Sequence, residues 1–366
     1  MDEINYLPLF FCKKYSRLAK DIFGSNVKSG EIKNLYQNDD MKLGTSLAHK
    51  YWKAILALGS RYNNDADKII PATDTMMLVM RWELNKQIYK FDKDFLDELI
   101  KTENPMFLEN MWDHLPYRCF YIDFSDNTAL CSKLCAQGMY IYTEKAEGLP
   151  GYLKIKEGGE NEWGDDMDLY IVHVCAVNEN SMKDIELHYT IDFPVPCKEN
   201  LLMDSFDDRN ARTYFNLAIE NEAAIADSRE VALFVYQILI YLSSAEPDIS
   251  ESELTKYTYR KRKNKDAPKN TFSEIQAWDV GIRFGASFRK WEQDKEKFSA
   301  VGTGTGNKKR PHCRRAHYHC FWYGPKEGPR VKRAKWLSDM YINTSERDAA
   351  VLPAVVHETD KKKAGN

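Results

Sequence analysis

Residues 169–177 read Leu-Tyr-Ile-Val-His-Val-Cys-Ala-Val, and this nearly continuous apolar run constrains the fold more than any other segment. Such a run is typical of a strand that is buried on both faces of a sheet. In segment 118–124 the apolar residues Phe120, Ile122 and Phe124 occupy alternate positions, and segment 185–193 alternates strictly between apolar and polar residues. Alternation predicts strands, and in the second segment a strand with one buried face. The middle of the chain is therefore predicted to be rich in mostly antiparallel β-strands.

Helical patterns flank this middle part. Apolar residues recur at helical spacing over 41–62, 74–101 and 231–242. Thr271-Phe272-Ser273-Glu274 has the spacing of a capping box and predicts a helix that runs to about Lys297. Within that helix, Gly281 and Gly285 would allow close packing.

Short strands are predicted at 315–323 and 330–337, after a flexible glycine-rich hinge at 301–307. The order of helices and strands predicts the α+β class. The predicted regions are a helical N-terminal region at 1–110, a β-rich middle at 111–200, a helical region at 201–300, a basic His/Arg-rich β element at 301–345 and a flexible tail at 346–366.

The net charge is split along the chain. The 52 basic and 55 acidic residues leave −3 overall, but residues 256–335 carry 22 Lys and Arg against 7 Asp and Glu, which is +15. Residues 336–366 carry 4 against 5, so residues 1–255 have a net charge of −17. The basic part can neutralise the phosphates of a nucleic acid. Alternatively, the acidic and basic parts attract each other within one molecule, and both interpretations stay open.

The chain carries no sequence signal for a membrane or for secretion. No apolar run approaches the roughly 20 residues of a membrane-spanning helix. The first residues, Met1-Asp2-Glu3, are acidic where a signal peptide is basic. We therefore expect a cytoplasmic protein with no membrane partner. Its eight cysteines are scattered along the chain, so free thiols are expected.

The densest group of chemically active side chains lies at 308–324, where three of the eight histidines fall within eight residues. Alternate residues of a strand point to opposite faces. If 316–323 is a strand, one face carries His317, His319 and Phe321, and the other carries Tyr318, Cys320 and Trp322.

A metal site is one interpretation of this group. His312, Cys313, His317, His319 and Cys320 are all competent zinc ligands. Their spacing matches no common zinc pattern, and a second pair of ligands is missing from the sequence. The sequence therefore predicts neither a metal nor another cofactor.

Two interpretations involve RNA. In a metal-independent endoribonuclease, a His or Tyr would act as general acid or base and an Arg would stabilise the phosphorane. The candidate catalytic residues are His317, His319, Tyr318, Arg314 and Arg315.

In a module that only binds nucleic acid, basic side chains would hold phosphates while Tyr318, Trp322 and Tyr323 stack on unpaired bases. The predicted nucleic-acid-binding residues are Lys308, Lys309, Arg310, Arg314, Arg315, Trp322, Lys332, Arg333 and Lys335. A structural alternative also stays open, in which His317 and His319 are ordinary polar residues on a strand packed against the 271–297 helix.

An ordered set of motifs, found between about 75 and 345, resembles a known family. The most specific element is Arg-Pro-His followed by two Arg, His-aromatic-His and Trp, at 310–322. The whole set comprises Glu246, Pro247, Asp248, Gly281, Gly285, Pro311, His312, His317, His319, Trp322, Gly324 and Trp336. It is similar to the second family of type V-A anti-CRISPR proteins and its relatives on mobile elements. The chain departs from the family at Ala316, where Gly is usual, and at Tyr318, where Trp is usual.

The resemblance implies an interaction protein that acts in a bacterial host cell. Members of the family recognise the N-terminal peptide of a type V-A CRISPR effector nuclease as it leaves the ribosome, and the transcript being translated is then degraded. The implied partners are this nascent peptide and RNA or the translating ribosome. Whether the RNA is cut by the protein or by a recruited nuclease stays open, so no enzymatic activity is predicted.

Overall fold

The computed structural model describes residues 7–23, 58–59, 63–64, 66–83, 85–102, 111–145, 169–178, 189–196, 228–253, 275–299, 312–314, 316–338 and 340–342. The helices are α1 Leu7–Phe23, α2 Ala66–Glu83, α3 Lys93–Lys101, α4 Met111–His114, α5 Thr128–Lys133, α6 Ser228–Ser243 and α7 Ile282–Ser299. The strands are β1 Gln87–Phe91, β2 Cys119–Asp123, β3 Gly138–Lys145, β4 Leu169–Val177, β5 Tyr189–Pro196, β6 Ile249–Glu251, β7 Gln276–Val280, β8 His312–Arg314, β9 His317–Tyr323, β10 Val331–Leu337 and β11 Met340–Ile342.

A mixed sheet of seven strands, in the order β5-β4-β3-β2-β1-β7-β6, forms the centre of the fold. Strand β1 runs parallel to β2 and to β7, and the other neighbours in the sheet are antiparallel. Two smaller antiparallel pairs, β9 with β10 and β8 with β11, follow towards the C-terminus. The predicted α+β class and the antiparallel-rich mixed sheet are confirmed.

Helices cover both faces of this sheet. On one face, the strands pack against α1 and α2. On the other face, they pack against α3, α6 and the first part of α7. Strand β4 shows why its sequence is apolar throughout, because Val172 and Val174 point to the α6 side while Cys175 and Val177 point to the α2 side. All four side chains are buried, so the prediction of a doubly buried strand at 169–177 is confirmed.

The predicted helix over 74–101 is wrong at its centre, where the chain forms β1. Helix α2 ends in a turn in which the N–H groups of Asn85 and Lys86 donate to the carbonyl oxygen of Trp82, at 3.2 and 2.8 Å. Lys86 has φ +47°, a left-handed conformation that cannot continue the helix. Beyond it, Ile88 packs on the α2 side and Tyr89 on the α6 side. Pairing with two neighbouring strands outweighs the helical periodicity of these residues.

The helix predicted from 271 also begins later, because residues 276–280 form β7. This strand pairs with β1 over its whole length, from Gln87 opposite Gln276 to Phe91 opposite Val280. The indole N–H of Trp278 donates to Oε1 of Gln87 at 2.8 Å, which adds a side-chain link to the ladder. The proposed capping residues at 271–274 lie outside the described part of the chain.

The first three predicted regions, 1–110, 111–200 and 201–300, all contribute strands to the seven-stranded sheet. The segment 1–110, expected to be helical, contributes β1, and the segment 201–300 contributes β6 and β7. All but two residues of the helix predicted at 41–62 lie outside the described residues. The same holds for residues 185–188, the hinge at 301–307 and the tail at 346–366. None of the helices that the structure describes is long and apolar enough to span a membrane.

Candidate nucleic-acid interface

The β9–β10 hairpin carries most of the predicted site residues that the structure describes. The two strands pair in antiparallel register from Tyr323 opposite Val331 to His317 opposite Leu337. The two predicted faces are found: the rings of His319 and Phe321 lie on one side with centroids 4.4 Å apart. Tyr318, on the other side, packs against the core of the protein. We call these the outer face and the inner face of the hairpin.

The inner face attaches the hairpin to the body. Trp336 is 4% exposed, and its ring lies 5.2 Å from the ring of Phe95 and 4.9 Å from that of Phe284. Its indole N–H donates to Oγ1 of Thr102 at 3.2 Å. Ala334 is also buried on this face. The packing of Trp336 against α3 and α7 therefore fixes where the hairpin sits.

Tyr318 lies on the same inner face, next to Trp336 in the strand register. Burial raises the pKa of Tyr318 well above its usual value, and nearby Tyr241 and Tyr236 add to the effect. The phenol therefore stays protonated near neutral pH and is poorly placed to act as a general base. Its position favours a packing role over stacking on a nucleic-acid base.

The cations of β10 interact with the C-terminal end of α6. The N–H of Ala245 donates to the carbonyl oxygen of Ala334 at 2.7 Å, so this segment lies along the second edge of β10. Nη2 of Arg333 lies 3.5 and 3.2 Å from the carbonyl oxygens of Ser243 and Ser244. Lys335 forms an ion pair with Glu246. Cations at a helix C-terminus are favourable, so these predicted phosphate-binding residues also hold the hairpin in place.

Several motif residues build the junction between the hairpin and the sheet. Gly281 has φ +77°, and a Cβ there would lie 2.0 Å from Cδ1 of Phe95. A Cβ at Gly285 would lie 1.8 Å from Oδ1 of Asp92, the N-cap of α3. Only glycine permits this approach of α7 to the start of α3, so the predicted close packing at both glycines is confirmed.

Asp248 completes this junction. Its carboxylate accepts hydrogen bonds from the backbone N–H and from Nε of Arg283, at 2.8 and 2.5 Å. Its own N–H donates to the hydroxyl of Tyr241 at 2.8 Å. Asp248 is 5% exposed, so it caps α7 from within the structure. The motif residues Asp248, Gly281, Gly285 and Trp336 thus specify packing.

The outer face and the tip of the hairpin are exposed. Four large apolar side chains of the described residues are exposed, and three of them lie here: Phe321 at 38%, Trp322 at 59% and Val331 at 44%. His319 is exposed beside Phe321, and Tyr323 is half-buried. The guanidinium of Arg333 lies 5.8 Å from the ring centroid of Tyr323. Aromatic rings and cations are therefore exposed together on the outer face of the hairpin and at its tip, where Trp322 lies on the other face of β9.

The remaining predicted site residues occupy different positions. His317 is half-buried and lies opposite Leu337, and Lys332 lies opposite Trp322. Gly324, with φ +118°, turns the chain after β9. The backbones of His312 and Arg314 belong to β8, whose side chains are not described. Lys308, Lys309, Arg310, Pro311 and Arg315 lie outside the described residues. The catalytic and nucleic-acid-binding assignments stay predictions.

The described residues contain no group of three or more His, Cys, Asp or Glu side chains that could hold a metal ion. Cys320 and five further described cysteines are not part of a disulfide. Because the side chains of His312 and Cys313 are not described, the structure leaves the zinc interpretation untested.

The predicted nucleic-acid-binding set omits Phe321 and Val331, although both lie on the exposed face. The period of two that assigns Phe321 to the face of His319 was present in the sequence. The alternative of a strand packed against the 271–297 helix agrees with the contact of Trp336 with Phe284 of α7, but the packed face carries Tyr318 and not His319. The contact of Trp336 with Phe95 of α3 was not predicted.

A second polar cluster, on the α2 side of the sheet, was also not predicted. The guanidinium of Arg81 lies 3.9 Å from the ring centroid of Tyr142, and Nε2 of His173 lies 3.0 Å from Oε1 of Glu144. Burial raises the pKa of Glu144, but the hydrogen bond from His173 and the charge of Arg81 outweigh it and lower the pKa to about 2. The cluster links α2 to β3 and β4 around an ionised carboxylate.

Comparisons with known proteins agree with this architecture. The structure is similar to the crystal structure of AcrVA2, with a TM-score of 0.50 and 16% sequence identity over 92% of this chain and 97% of that chain. At this identity the likeness concerns the fold. No curated protein matches the sequence significantly.

A family model matches a larger share of the sequence than any single motif. The anti-CRISPR type V subtype A2 family, AcrVA2-like, matches residues 89–344, which are 256 of the 366 residues. The matched range begins in β1 and ends just after β11, so it includes the junction and the hairpin. The chain therefore belongs to the anti-CRISPR type V subtype A2 family, which supports an anti-CRISPR role for it.

Proposed function

We propose that this protein is an anti-CRISPR silencer of gene expression. It recognises the N-terminal peptide of a type V-A CRISPR effector nuclease during translation, and the transcript being translated is degraded. It acts in the cytoplasm of the bacterial host, with the nascent peptide and RNA or the translating ribosome as partners. The family match over residues 89–344 is the observation that carries this proposal.

The charge distribution supports a protein with two kinds of partner. Residues 256–335 have a net charge of +15, whereas residues 1–255 have a net charge of −17. The basic part is suited to contact with RNA, and the acidic part is not. Within this proposal, the acidic part of the chain is the part that would contact a polypeptide.

A reporter transcript tests the proposal. The opening codons of a type V-A effector are fused to a fluorescent protein and co-expressed with this chain, and the reporter mRNA is quantified. A control carries the same codons in a shifted frame, so that the RNA is nearly unchanged while the peptide differs. We expect loss of the in-frame transcript alone. Equal loss of both transcripts, or loss of neither, contradicts recognition of the peptide.

A second candidate function is metal-independent RNA cleavage, which the exposed His319 beside basic side chains favours. Purified protein would then cleave RNA in the presence of EDTA. His319→Ala would lower the cleavage rate by about 100-fold or more if this imidazole is the general acid or base. RNA that remains intact at high protein concentration excludes intrinsic cleavage and leaves degradation to a host nuclease.

A further inference from the structure

We propose that the exposed part of the hairpin is a stacking platform for single-stranded RNA. We define this platform by His319, Phe321 and Tyr323 on the outer face of β9, Val331 opposite Tyr323, and the exposed Trp322 at the tip, where its side chain lies on the other face of β9. The proposal concerns direct contact with RNA. It does not depend on recognition of a nascent peptide, so the two proposals can fail separately.

The first step is the arrangement of the rings. His319, Phe321 and Tyr323 occupy alternate positions of one strand, which places all three on the outer face. The centroids of His319 and Phe321 are 4.4 Å apart, so these two rings form a continuous surface. The planes of these two rings are inclined by 46° to each other, so each ring offers its own face for stacking. Exposed rings on a strand are suited to unstacked bases, because every base offers a π-face regardless of its identity.

The second step is exposure. Trp322 is 59% exposed and Phe321 is 38% exposed, whereas Trp82, Phe95 and Phe120 of the body are completely buried. Packing in the core therefore does not account for the rings of Phe321 and Trp322. Single exposed apolar residues are ordinary on a protein surface, but a contiguous group of them marks a contact surface.

The third step is charge, which identifies the occupant. Residues 316–338 contain five basic side chains, Lys326, Arg330, Lys332, Arg333 and Lys335, and one acidic side chain, Glu327. Glu246 pairs with Lys335, so the net charge at the hairpin is about three positive charges. Lys326 and Arg330 are exposed at the turn, and Arg333 lies beside the ring of Tyr323. A ligand that fits this surface has flat rings and a negatively charged backbone. A single-stranded nucleic acid has both, whereas a duplex hides its bases.

The fourth step separates RNA from DNA. The exposed imidazole of His319 adjoins the Phe321 ring and can either donate or accept a hydrogen bond. A ribose 2′-hydroxyl also donates and accepts, and it is the group that distinguishes RNA from DNA at a protein surface. The platform therefore fits RNA better than DNA of the same sequence.

The test is direct binding by the purified full-length chain. Fluorescence anisotropy is measured with a labelled, unstructured RNA oligonucleotide, with the same RNA annealed into a duplex, and with single-stranded DNA of the same sequence. We expect the tightest binding for the single-stranded RNA. Phe321→Ala or Trp322→Ala should weaken it by about 5- to 150-fold each, the usual effect of removing one stacking ring.

Two further variants separate stacking from general damage. Ile282→Ala removes an apolar side chain that is as exposed as Val331, at 44%, but lies on α7. It should leave the affinity unchanged. Phe321→Tyr keeps a ring and should bind as the unaltered protein does. Because Phe321 and Trp322 are exposed, both alanine variants should fold, which circular dichroism verifies.

Four results overturn the proposal. The first is an RNA affinity that is unchanged in Phe321→Ala and Trp322→Ala, and the second is an equal loss of RNA affinity in Ile282→Ala. The third is tighter binding of the duplex than of the single-stranded RNA, and the fourth is equal binding of single-stranded RNA and DNA. If both alanine variants bind RNA normally but lose reporter silencing, the platform is a protein-docking surface instead. If both alanine variants lose RNA binding but still lower only the in-frame reporter transcript, the platform binds RNA and another surface recognises the peptide.

Discussion

The inner and outer faces of the β9–β10 hairpin differ in their exposure to solvent. Both carry aromatic residues, but Trp336 on the inner face is 4% exposed whereas Phe321 on the outer face is 38% exposed. The difference arises because α3 and α7 cover one face only. The comparison shows that aromatic side chains in one short motif divide between holding the hairpin and presenting a surface.

The family motif divides in the same way. Asp248, Gly281 and Gly285 fix the contact of α7 with the β1–α3 connection, so their identity follows from packing. His319 and Trp322 belong to the same motif but are exposed. For these two residues, packing gives no reason for their identity. We therefore expect substitutions of His319 and Trp322 to affect function more than stability.

The largest effect is expected for Trp336→Ala. This substitution removes a ring packed between Phe95 and Phe284 together with the hydrogen bond to Thr102. We expect a loss of about 3–5 kcal/mol in the free energy of unfolding, measured by urea denaturation. A loss below about 1 kcal/mol would mean that the packing of the inner face does not stabilise the protein, which would contradict the difference between the two faces.

The next effect is expected for Gly281→Ala. The new Cβ would lie 2.0 Å from Phe95 in a backbone conformation with φ +77°. Strain and overpacking together predict a loss of roughly 2–3 kcal/mol in the free energy of unfolding. Ala286→Ser, at an exposed position of α7, is the control and should change the free energy of unfolding little. Equal stability of the two variants would contradict the proposed junction.

A smaller, pH-dependent effect is expected from the polar cluster on the opposite side of the sheet. The pKa of Glu144 is about 2 in the folded protein and near 4.5 when the carboxyl is unperturbed. The unfolded chain therefore takes up this proton first, and stability is lost as the pH falls from about 4.5 towards 2. After allowance for the partial exposure of Glu144, the contribution is roughly 1–2 kcal/mol.

Glu144→Gln tests this effect. The difference in stability between the unaltered protein and the variant, measured by denaturation at pH 7 and at lower pH, should shrink as the pH falls. RNA binding at neutral pH should be unaffected, since Glu144 lies on the α2 side of the sheet, among Arg81, Tyr142 and His173. A difference that is constant with pH would contradict the lowered pKa.

The smallest effects on stability are expected for the exposed apolar side chains on the outer face of the hairpin, at its tip and at the start of α7. Phe321→Ala and Trp322→Ala should change the free energy of unfolding by no more than about 0.5 kcal/mol, as should the control Ile282→Ala. Thermal unfolding of the three variants measures this. A loss above about 2 kcal/mol at Phe321 or Trp322 would assign these rings to packing and remove the contrast between the two faces.

Sequence patterns predicted those parts of the fold in which one local signal dominates. The apolar run at 169–177, the helical stripe at 231–242 and the C-terminal hairpin were all predicted. Strands β1 and β7 were missed because their neighbours in the sheet, not their own periodicity, decide their structure. The faces of β9 were also predicted. Packing of this strand on the helix that contains Phe284 was one of the alternatives left open, and the ring contact of Trp336 with Phe284 agrees with it. The contact of Trp336 with Phe95 was not predicted, because the two residues are distant in sequence.

The most direct test of the central claim combines stability with silencing in cells. The in-frame reporter is co-expressed with the Phe321→Ala/Trp322→Ala double variant or with Ile282→Ala, and reporter mRNA is quantified at matched protein levels. We predict that the double variant stays folded and loses silencing, while Ile282→Ala silences normally. Full silencing by a folded double variant would contradict the claim that the exposed rings on the outer face and at the tip of the hairpin carry the function.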